Sequence, residues 1–307
     1  MDAAAVAVAG RVPAAALVES PSLGPARGAG RVMLAVDTLN RAGSFKLRGA
    51  VAALSALPRG RAVVACSAGN HGLGVAIAAG ELGIAATVVV SARADPLKIA
   101  AIRETGCALV LHGETYDEAE RHALALAERT GAAFVSPYND PAVIAGQATL
   151  GREVVDRLGM DLTIVAPVGG GGLAAGVALV ATGAVTVGVV AERSPAMAAA
   201  LSAGRVVPVA TGETVADALA GNLEPGTVTF PLVRDHVQAV VAVSDAEIAA
   251  AMRFLYSRHG LVAEGAGAAA VAAVRAGRVP LRTAACVALV TGRNVDPARY
   301  ASVLAGT

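Results

Sequence analysis

The chain has 307 residues, enough for about two domains and a large hydrophobic core. Hydrophobic residues make up 55% of it and charged residues 16%, which excludes an intrinsically disordered chain. Basic and acidic residues nearly balance, 25 against 24, and only 3% of residues are aromatic, with no tryptophan. A nucleic-acid partner is therefore not expected, because the chain has neither a basic excess nor the aromatic residues that stack on bases.

A long apolar stretch at residues 63–90 requires a test for a membrane span. Asn70, His71 and Glu81 interrupt it, together with several glycines, and these polar side chains would lack partners in hydrocarbon. The N-terminal segment has an acid at Asp2 and no basic region, unlike a signal peptide. We therefore expect no membrane association and a cytoplasmic protein.

Short β-branched runs alternate with longer alanine-rich segments of helical period, which is typical of βαβ units with mostly parallel sheets. In chain order the pattern predicts strand 62–66, helix 73–82, strand 86–90, helix 96–105, strand 108–111, helices 116–130 and 142–158, strand 162–166, helix 173–182, strands 186–190 and 239–243, helices 245–258 and 265–276, and strand 285–291. The expected fold class is α/β. Active sites in such sheets lie beyond the carboxyl ends of the strands, which here indicates three loops: SAGNHG, PVGGGGL and TGRN.

The chain has two lysines, Lys46 and Lys98. Lys46 lies in GSFKLRGA between Phe45 and a leucine, and an ammonium group in an apolar setting loses its proton more easily. The resulting amine can form a Schiff base. The alternative is a solvated lysine near a helix start, flanked by Arg41 and Arg48.

The segment PVGGGGLAAG follows a predicted strand and opens a predicted helix, an arrangement whose backbone N–H groups suit a phosphate. A merely flexible loop is one alternative. Another is a dinucleotide site, because Gly170, Gly172 and Ala175 fit the relaxed fingerprint and Glu192 lies 22 residues beyond Gly170. That alternative would make the protein a nicotinamide-dependent oxidoreductase, but it accounts for neither GSFKLRGA nor SAGNHG.

Six motifs occur in order along the chain: GSFKLRGA, SAGNHGLGVA, SPYNDPAVIAGQATLG, PVGGGGL, EGAGAAA and TGRNVD. Together they resemble the pyridoxal-phosphate enzymes of the serine/threonine dehydratase group, which have the tryptophan-synthase-β type of fold. The resemblance implies two open, mostly parallel twisted sheets flanked by helices, with the active site between the domains. It also implies a large cofactor-binding domain of residues 1–60 and 141–307, a small mobile domain of residues 61–140, and a homodimer.

By this resemblance, Lys46 would hold pyridoxal 5'-phosphate covalently and Phe45 would pack beside it. Asn70 would hydrogen-bond the 3-oxygen of the cofactor, and Thr291 would face its pyridine nitrogen. The residues that would bind its phosphate through backbone amides are Gly169, Gly170, Gly171 and Gly172. No metal site is expected, because Glu192 matches one ligand of a cation site in some relatives while Ala198 stands where a second acid would come.

The loop after the first predicted strand would receive the carboxylate of an amino-acid substrate, through N–H groups that are free beyond the strand. Its residues are Ser67, Ala68, Gly69, Asn70 and His71. For His71, a role in fixing the loop is the alternative to acid–base work. Glu264 lies either near the active-site edge, as its family counterpart does, or serves only as the acid at a helix start.

The implied reaction is β-elimination of a small L-hydroxyamino acid, such as threonine or serine, to a 2-oxo acid and ammonia. Two departures from the family pattern leave other 3-hydroxyamino acids open (hydroxyectoine-derived, 3-hydroxyaspartate or phenylserine): TGRN replaces SGGN, and Ala218 replaces a glycine. The sequence fits a serine racemase-like isomerase less well. By the resemblance, relatives that racemise have a serine at the position where this chain has Ala68. A catalytically silent homologue is a further alternative.

Overall fold

The computed structural model describes residues 2–23, 30–279 and 283–306. In chain order its elements are α1 (Asp2–Ala9), β1 (Ala16–Glu19), β2 (Arg31–Val36), α2 (Lys46–Ser55), β3 (Val63–Cys66), α3 (Asn70–Leu82), β4 (Ala86–Val90), α4 (Pro96–Glu104), β5 (Ala108–Leu111), α5 (Tyr116–Thr130), β6 (Ala133–Phe134), α6 (Pro141–Leu158), β7 (Leu162–Pro167), α7 (Gly172–Val180), β8 (Val185–Ala191), α8 (Ala196–Ala203), α9 (Thr229–His236), β9 (Ala239–Val243), α10 (Asp245–His259), α11 (Gly265–Arg275), β10 (Ala285–Val290) and α12 (Pro297–Ala305). The described residues also form two short 3₁₀ helices, Pro21–Leu23 and Asp217–Leu219.

The described residues form two compact units. Among them, the first unit takes in residues 2–13 and 40–147, and the second takes in residues 14–23, 30–39, 148–279 and 283–306. The domain division expected from the sequence differs, since its small domain is residues 61–140 and the first unit also takes in residues 2–13, 40–60 and 141–147. In the structure α2 packs against α3 of the same unit, because Gly74 of α3 lets the two backbones approach closely.

The first unit contains a four-stranded parallel sheet in the order β5-β4-β3-β6. Its main core lies between this sheet and helices α1, α2 and α3, with Leu47 and Leu54 of α2 almost fully buried. Gly146 of α6 faces the carbonyl of Arg48 so closely that a Cβ at this position would overlap it. The helix that begins at Lys46 is thus packed against backbone on two sides.

The second unit contains a six-stranded sheet in the order β1-β2-β10-β7-β8-β9. All its pairings are parallel except that of the edge strand β1 with β2. Helix α11 packs on the sheet and is buried from Gly265 to Val274. Its small residues, in the sequence GAGAAAVAAV, let it pack closely between the strands and helix α10.

The expected α/β fold with two mostly parallel sheets is confirmed. Strands β4, β5 and β9 and helix α5 begin and end where the pattern predicts. No described helix is both long enough and apolar enough to cross a membrane.

Candidate active site

Lys46 is the first residue of α2 and is half-buried. Its Nζ donates a hydrogen bond of 2.8 Å to the carbonyl oxygen of Pro137, which follows β6. The ring of Phe45 lies close by, with Nζ 5.1 Å from the ring centroid, a favourable cation–π distance. Lys46 therefore carries an ordered amine, placed by a helix start and a backbone carbonyl.

The SAGNHG loop connects β3 to α3 at the carboxyl edge of the smaller sheet. A Cβ at Gly72 would overlap the carbonyl of Ser67, so only glycine permits this sharp return from strand to helix. The N–H of Ser67 donates to Val89, and that of Gly69 donates to the hydroxyl of Ser67 at 3.1 Å. Two of the loop's N–H groups are therefore already used, contrary to the expectation that all are free.

His71 is buried and anchors this loop, because its Nε2 lies 2.8 Å from the carbonyl oxygen of Val135. A carbonyl only accepts, so Nε2 carries the proton, and Nδ1 is an acceptor without a partner among the described residues. Burial, with the positive charge of Lys46 adding to it, lowers the pKa of His71 to about 3. The imidazole is thus neutral near pH 7.

Val135 and Pro137 come just after β6, and β6 pairs in parallel with β3. The segments that follow two parallel neighbours meet at one edge of a sheet, so His71 and Lys46 reach carbonyls two residues apart. These residues belong to SPYND, the start of one of the six sequence motifs, for which the sequence predicted no role. Its carbonyls are functional atoms that side-chain patterns do not reveal.

In the second unit, the glycine loop lies between β7 and the N-terminus of α7. Gly171 is the N-cap residue of α7 with φ +90°, a conformation that favours glycine. A Cβ on Gly171 would lie 2.7 Å from Cε of Met197, and one on Gly169 would lie 3.2 Å from Cα of Leu219. The loop is thus closely packed at Gly169 and Gly171, and the positive φ of Gly171 adds strain for any other residue there.

The N–H groups of the four glycines have no hydrogen-bond partner among the described residues. They lie at the N-terminus of α7, where the helix dipole favours an anion. The carbonyl of Gly170 instead accepts a 2.6 Å hydrogen bond from Oγ1 of Thr229. Thr229 was not expected from the sequence, because no local pattern links it to a residue 59 positions away.

Thr291 directly follows β10 and is buried, with 2% of its surface exposed. Strand β10 pairs in parallel with β7, so Thr291 and the glycine loop lie at the same edge of the larger sheet. The next residue, Gly292, accepts a 3.0 Å hydrogen bond from the N–H of Glu264, the N-cap residue of α11. Arg293 is exposed.

Within the described residues, no three histidine, cysteine, aspartate or glutamate side chains are grouped so that they could hold a metal ion. Glu192 is exposed and has Arg278 as an ion-pair partner at 3.9 Å.

The first unit has a half-buried lysine amine and the second has a glycine loop at a helix N-terminus, and each lies beyond the carboxyl ends of parallel strands of its own α/β unit. The family model described as "Pyridoxal-phosphate dependent enzyme" matches residues 9–292, and the chain belongs to this family.

An L-threonine ammonia-lyase of Thermotoga maritima is 43% identical over 274 residues, covering 87% of this chain and 68% of that protein. Among solved structures, maize serine racemase superposes with a TM-score of 0.91 at 28% identity, covering 99% of this chain and 96% of the other. A threonine deaminase of T.th. superposes with a TM-score of 0.86 at 36% identity, covering 96% of this chain and 97% of the other.

The cofactor of this family is pyridoxal phosphate, and the residues present fit it. Its phosphate is a dianion, which suits the glycine loop, where N–H groups without a partner among the described residues lie at the N-terminus of α7. Its aldehyde requires a primary amine, which Lys46 supplies.

Proposed function

We propose that this protein is a pyridoxal-phosphate-dependent ammonia-lyase that converts a small L-hydroxyamino acid, threonine first among them, into a 2-oxo acid and ammonia. The observation that carries the proposal is the glycine loop at Gly169–Gly172, whose packing and open N–H groups suit a phosphate. The choice of threonine is supported by the Thermotoga ammonia-lyase and the T.th. deaminase, which are 43% and 36% identical to this chain.

In this function the glycine N–H groups bind the phosphate, Lys46 binds the carbon of the aldehyde, and the Asn70 side chain binds the 3-oxygen. When bound, the cofactor would supply an electron sink that makes the Cα proton of an amino-acid substrate acidic. The amine of Lys46, released when substrate binds, takes that proton.

The Cβ–O bond would then break, and the hydroxyl group would leave as water with a proton that balances the one Lys46 took from Cα. The released unsaturated amine tautomerises and reacts with water to give the 2-oxo acid and ammonia. All atoms of the substrate are thus accounted for without an oxidant or reductant.

The substrate carboxylate binds in the SAGNHG loop. With the N–H groups of Ser67 and Gly69 already bonded, those of Ala68 and His71 remain, and neither has a partner among the described residues. The neutral imidazole of His71 fixes this loop to Val135 and contributes no charge of its own.

Thr291 faces the pyridine nitrogen in this proposal. A hydroxyl would offset a positive charge on that nitrogen less well than a carboxylate, so less of the negative charge formed at Cα would be delocalised away from it. Elimination is thereby favoured over transamination.

The proposal is tested by comparing Lys46→Ala with Lys98→Ala, the control at the other lysine. Lys46→Ala should lose turnover and the visible absorbance of the bound cofactor, and Lys98→Ala should keep both. Borohydride treatment of the wild type, followed by peptide mapping, should find the cofactor attached to Lys46. Bleaching by Lys98→Ala alone would refute the assignment, a colourless protein that binds nicotinamide would refute the function, and a coloured protein without turnover would indicate a silent homologue.

The substrate is identified by 2-oxo acid release from a panel of threonine, serine, 3-hydroxyaspartate and phenylserine. A racemase is the second candidate, favoured by the TM-score of 0.91 to maize serine racemase. Appearance of the D-isomer without 2-oxo acid would identify it.

A homodimer and a cytoplasmic location complete the proposal. They are supported by the resemblance to the family. Sedimentation of the purified protein and fractionation of cells test them.

A further inference from the structure

Two buried threonines lie beneath the glycine loop. Thr229, the first residue of α9, is fully buried, and its Oγ1 donates a 2.6 Å hydrogen bond to the carbonyl oxygen of Gly170. Oγ1 of Thr227 lies 3.0 Å from Oγ1 of Thr229. A hydroxyl has one proton to donate, and that of Thr229 is used on Gly170, so Thr227 donates to Thr229.

The bond to Gly170 also fixes the neighbouring N–H group. The carbonyl of Gly170 and the N–H of Gly171 belong to one planar trans peptide, in which the two groups point in opposite directions. Holding the carbonyl toward Thr229 therefore turns the N–H of Gly171 away from α9. That N–H has no partner among the described residues.

Without this hydrogen bond the orientation of the peptide would not be fixed, because the residues on both sides of it are glycines. Glycine populates positive and negative φ about equally, so the Gly170–Gly171 peptide could rotate without a steric penalty from side chains. A rotated peptide would direct the Gly170 carbonyl, rather than the N–H, toward a bound anion and would repel it.

We propose that Thr229 is the positioning residue of the anion site, which it orients by holding the Gly170–Gly171 peptide with its N–H toward the phosphate. The inference rests on the proposed function, in which this loop binds the phosphate of pyridoxal phosphate. Helix α9 is suited to the role, since Cβ of Thr229 and Cγ2 of Val233 pack within 3.3 Å of the Cβ position of Gly171.

The test measures the dissociation constants of pyridoxal phosphate and of pyridoxal, which lacks the phosphate, from the full-length protein. Thr229→Val removes the hydroxyl and keeps the shape. Loss of one oriented hydrogen bond predicts roughly tenfold weaker binding of pyridoxal phosphate, the ratio that corresponds to about 1.4 kcal/mol. Binding of pyridoxal should be unchanged. A merely structural role would weaken both alike.

Thr186→Val is the matched control. Thr186 is a buried threonine of β8 whose hydroxyl has no partner among the described residues, so its replacement should leave both dissociation constants unchanged. Thr229→Ser and Thr229→Ala form a second pair that differ by one hydroxyl. The serine variant should bind pyridoxal phosphate about tenfold more tightly than the alanine variant, which decides the question if the valine variant does not fold.

Equal affinities for pyridoxal phosphate in the wild type and Thr229→Val, or in the serine and alanine variants, would overturn the inference. The proposed function would still stand if the wild type binds pyridoxal phosphate more tightly than pyridoxal. If the wild type binds both equally, and Gly171→Ala binds as the wild type does, then the loop is no phosphate site and the proposed function fails instead.

Discussion

Helix α3 crosses the first turn of α2 at Gly74, and replacing this glycine with alanine should displace the backbone of Lys46. The new Cβ would lie 3.3 Å from the carbonyl carbon of Lys46 and from the amide nitrogen of Leu47. Carbon atoms pack best at about 3.5–4.0 Å, so the backbone of α2 must move by a few tenths of an ångström. The same helix offers a matched control at Gly80, where a Cβ would meet nothing within 4 Å.

The two substitutions should differ in activity and not in fold. Alanine is about 1 kcal/mol better than glycine inside a helix, so Gly80→Ala should raise the free energy of unfolding by about that amount. Gly74→Ala gains the same helix propensity, but the close contact with α2 removes part of the resulting increase in the free energy of unfolding. A 1 Å misplacement in an active site can lower the rate about 100-fold, and about 0.3 Å at Lys46 therefore predicts roughly fourfold lower kcat for Gly74→Ala.

The assay is 2-oxo acid release at saturating substrate and equal cofactor content, paired with urea unfolding of each variant. We expect Gly80→Ala to turn over as the wild type does. A wild-type rate for Gly74→Ala would refute the reasoning, because it would mean that contact with α3 does not set the position of Lys46. Equal losses in both variants would also refute it, since the flexibility of α3 would then be responsible.

Two further predictions concern the SAGNHG loop. Ala68→Ser should increase inversion at Cα and keep the elimination rate within about tenfold of the wild type, because it adds one proton-bearing hydroxyl at little volume. Chiral chromatography of reactions in deuterated water measures the inversion. Rapid D-isomer formation by the wild type would contradict the prediction. The second concerns His71, whose pKa is lowered to about 3 by burial and by the charge of Lys46. Below about pH 6.5 the unfolded chain therefore binds a proton at His71 that the folded chain does not bind. Stability should therefore fall as the pH drops below about 6.5, by about 1.4 kcal/mol per pH unit. His71→Gln keeps an N–H donor for Val135 and does not titrate. From pH 7 to pH 5, urea unfolding should thus find a loss about 2 kcal/mol larger in the wild type than in the variant, and equal losses would count against a neutral buried imidazole.

The buried central strands were predictable from the sequence, because strands covered on both faces read as continuous β-branched runs. Helix α3 begins at Asn70, three residues before the predicted start, since Gly72 belongs to the helix where the pattern suggested a loop. The pattern gave no bounds for helix α2, although one interpretation of Lys46 placed it near a helix start, and Lys46 is the first residue of α2. Its residues include a buried arginine and a glycine, and what stabilises it is packing against α3 and Gly146, which local sequence does not encode.

Some residues of the candidate site were likewise predictable from the sequence, and others were not. Lys46 and the four glycines stand out in the sequence because their residue types are unusual in their settings. The carbonyl of Pro137 and the hydroxyl of Thr229 do not, because a carbonyl has no residue type and a buried threonine has many ordinary uses. Both atoms lie far along the chain from the groups they hold, so only the folded backbone brings them together.

The hydrogen bond from Lys46 to Pro137 bears on how the protein acquires its cofactor. A free lysine side chain gives up as much as about 2 kcal/mol of rotamer entropy when it is fixed. Here Nζ is held at 2.8 Å from a backbone oxygen, so part of that entropy is already lost on folding. Binding of the cofactor therefore does not have to order this amine again. The entropic cost of binding is smaller, and the affinity is correspondingly higher.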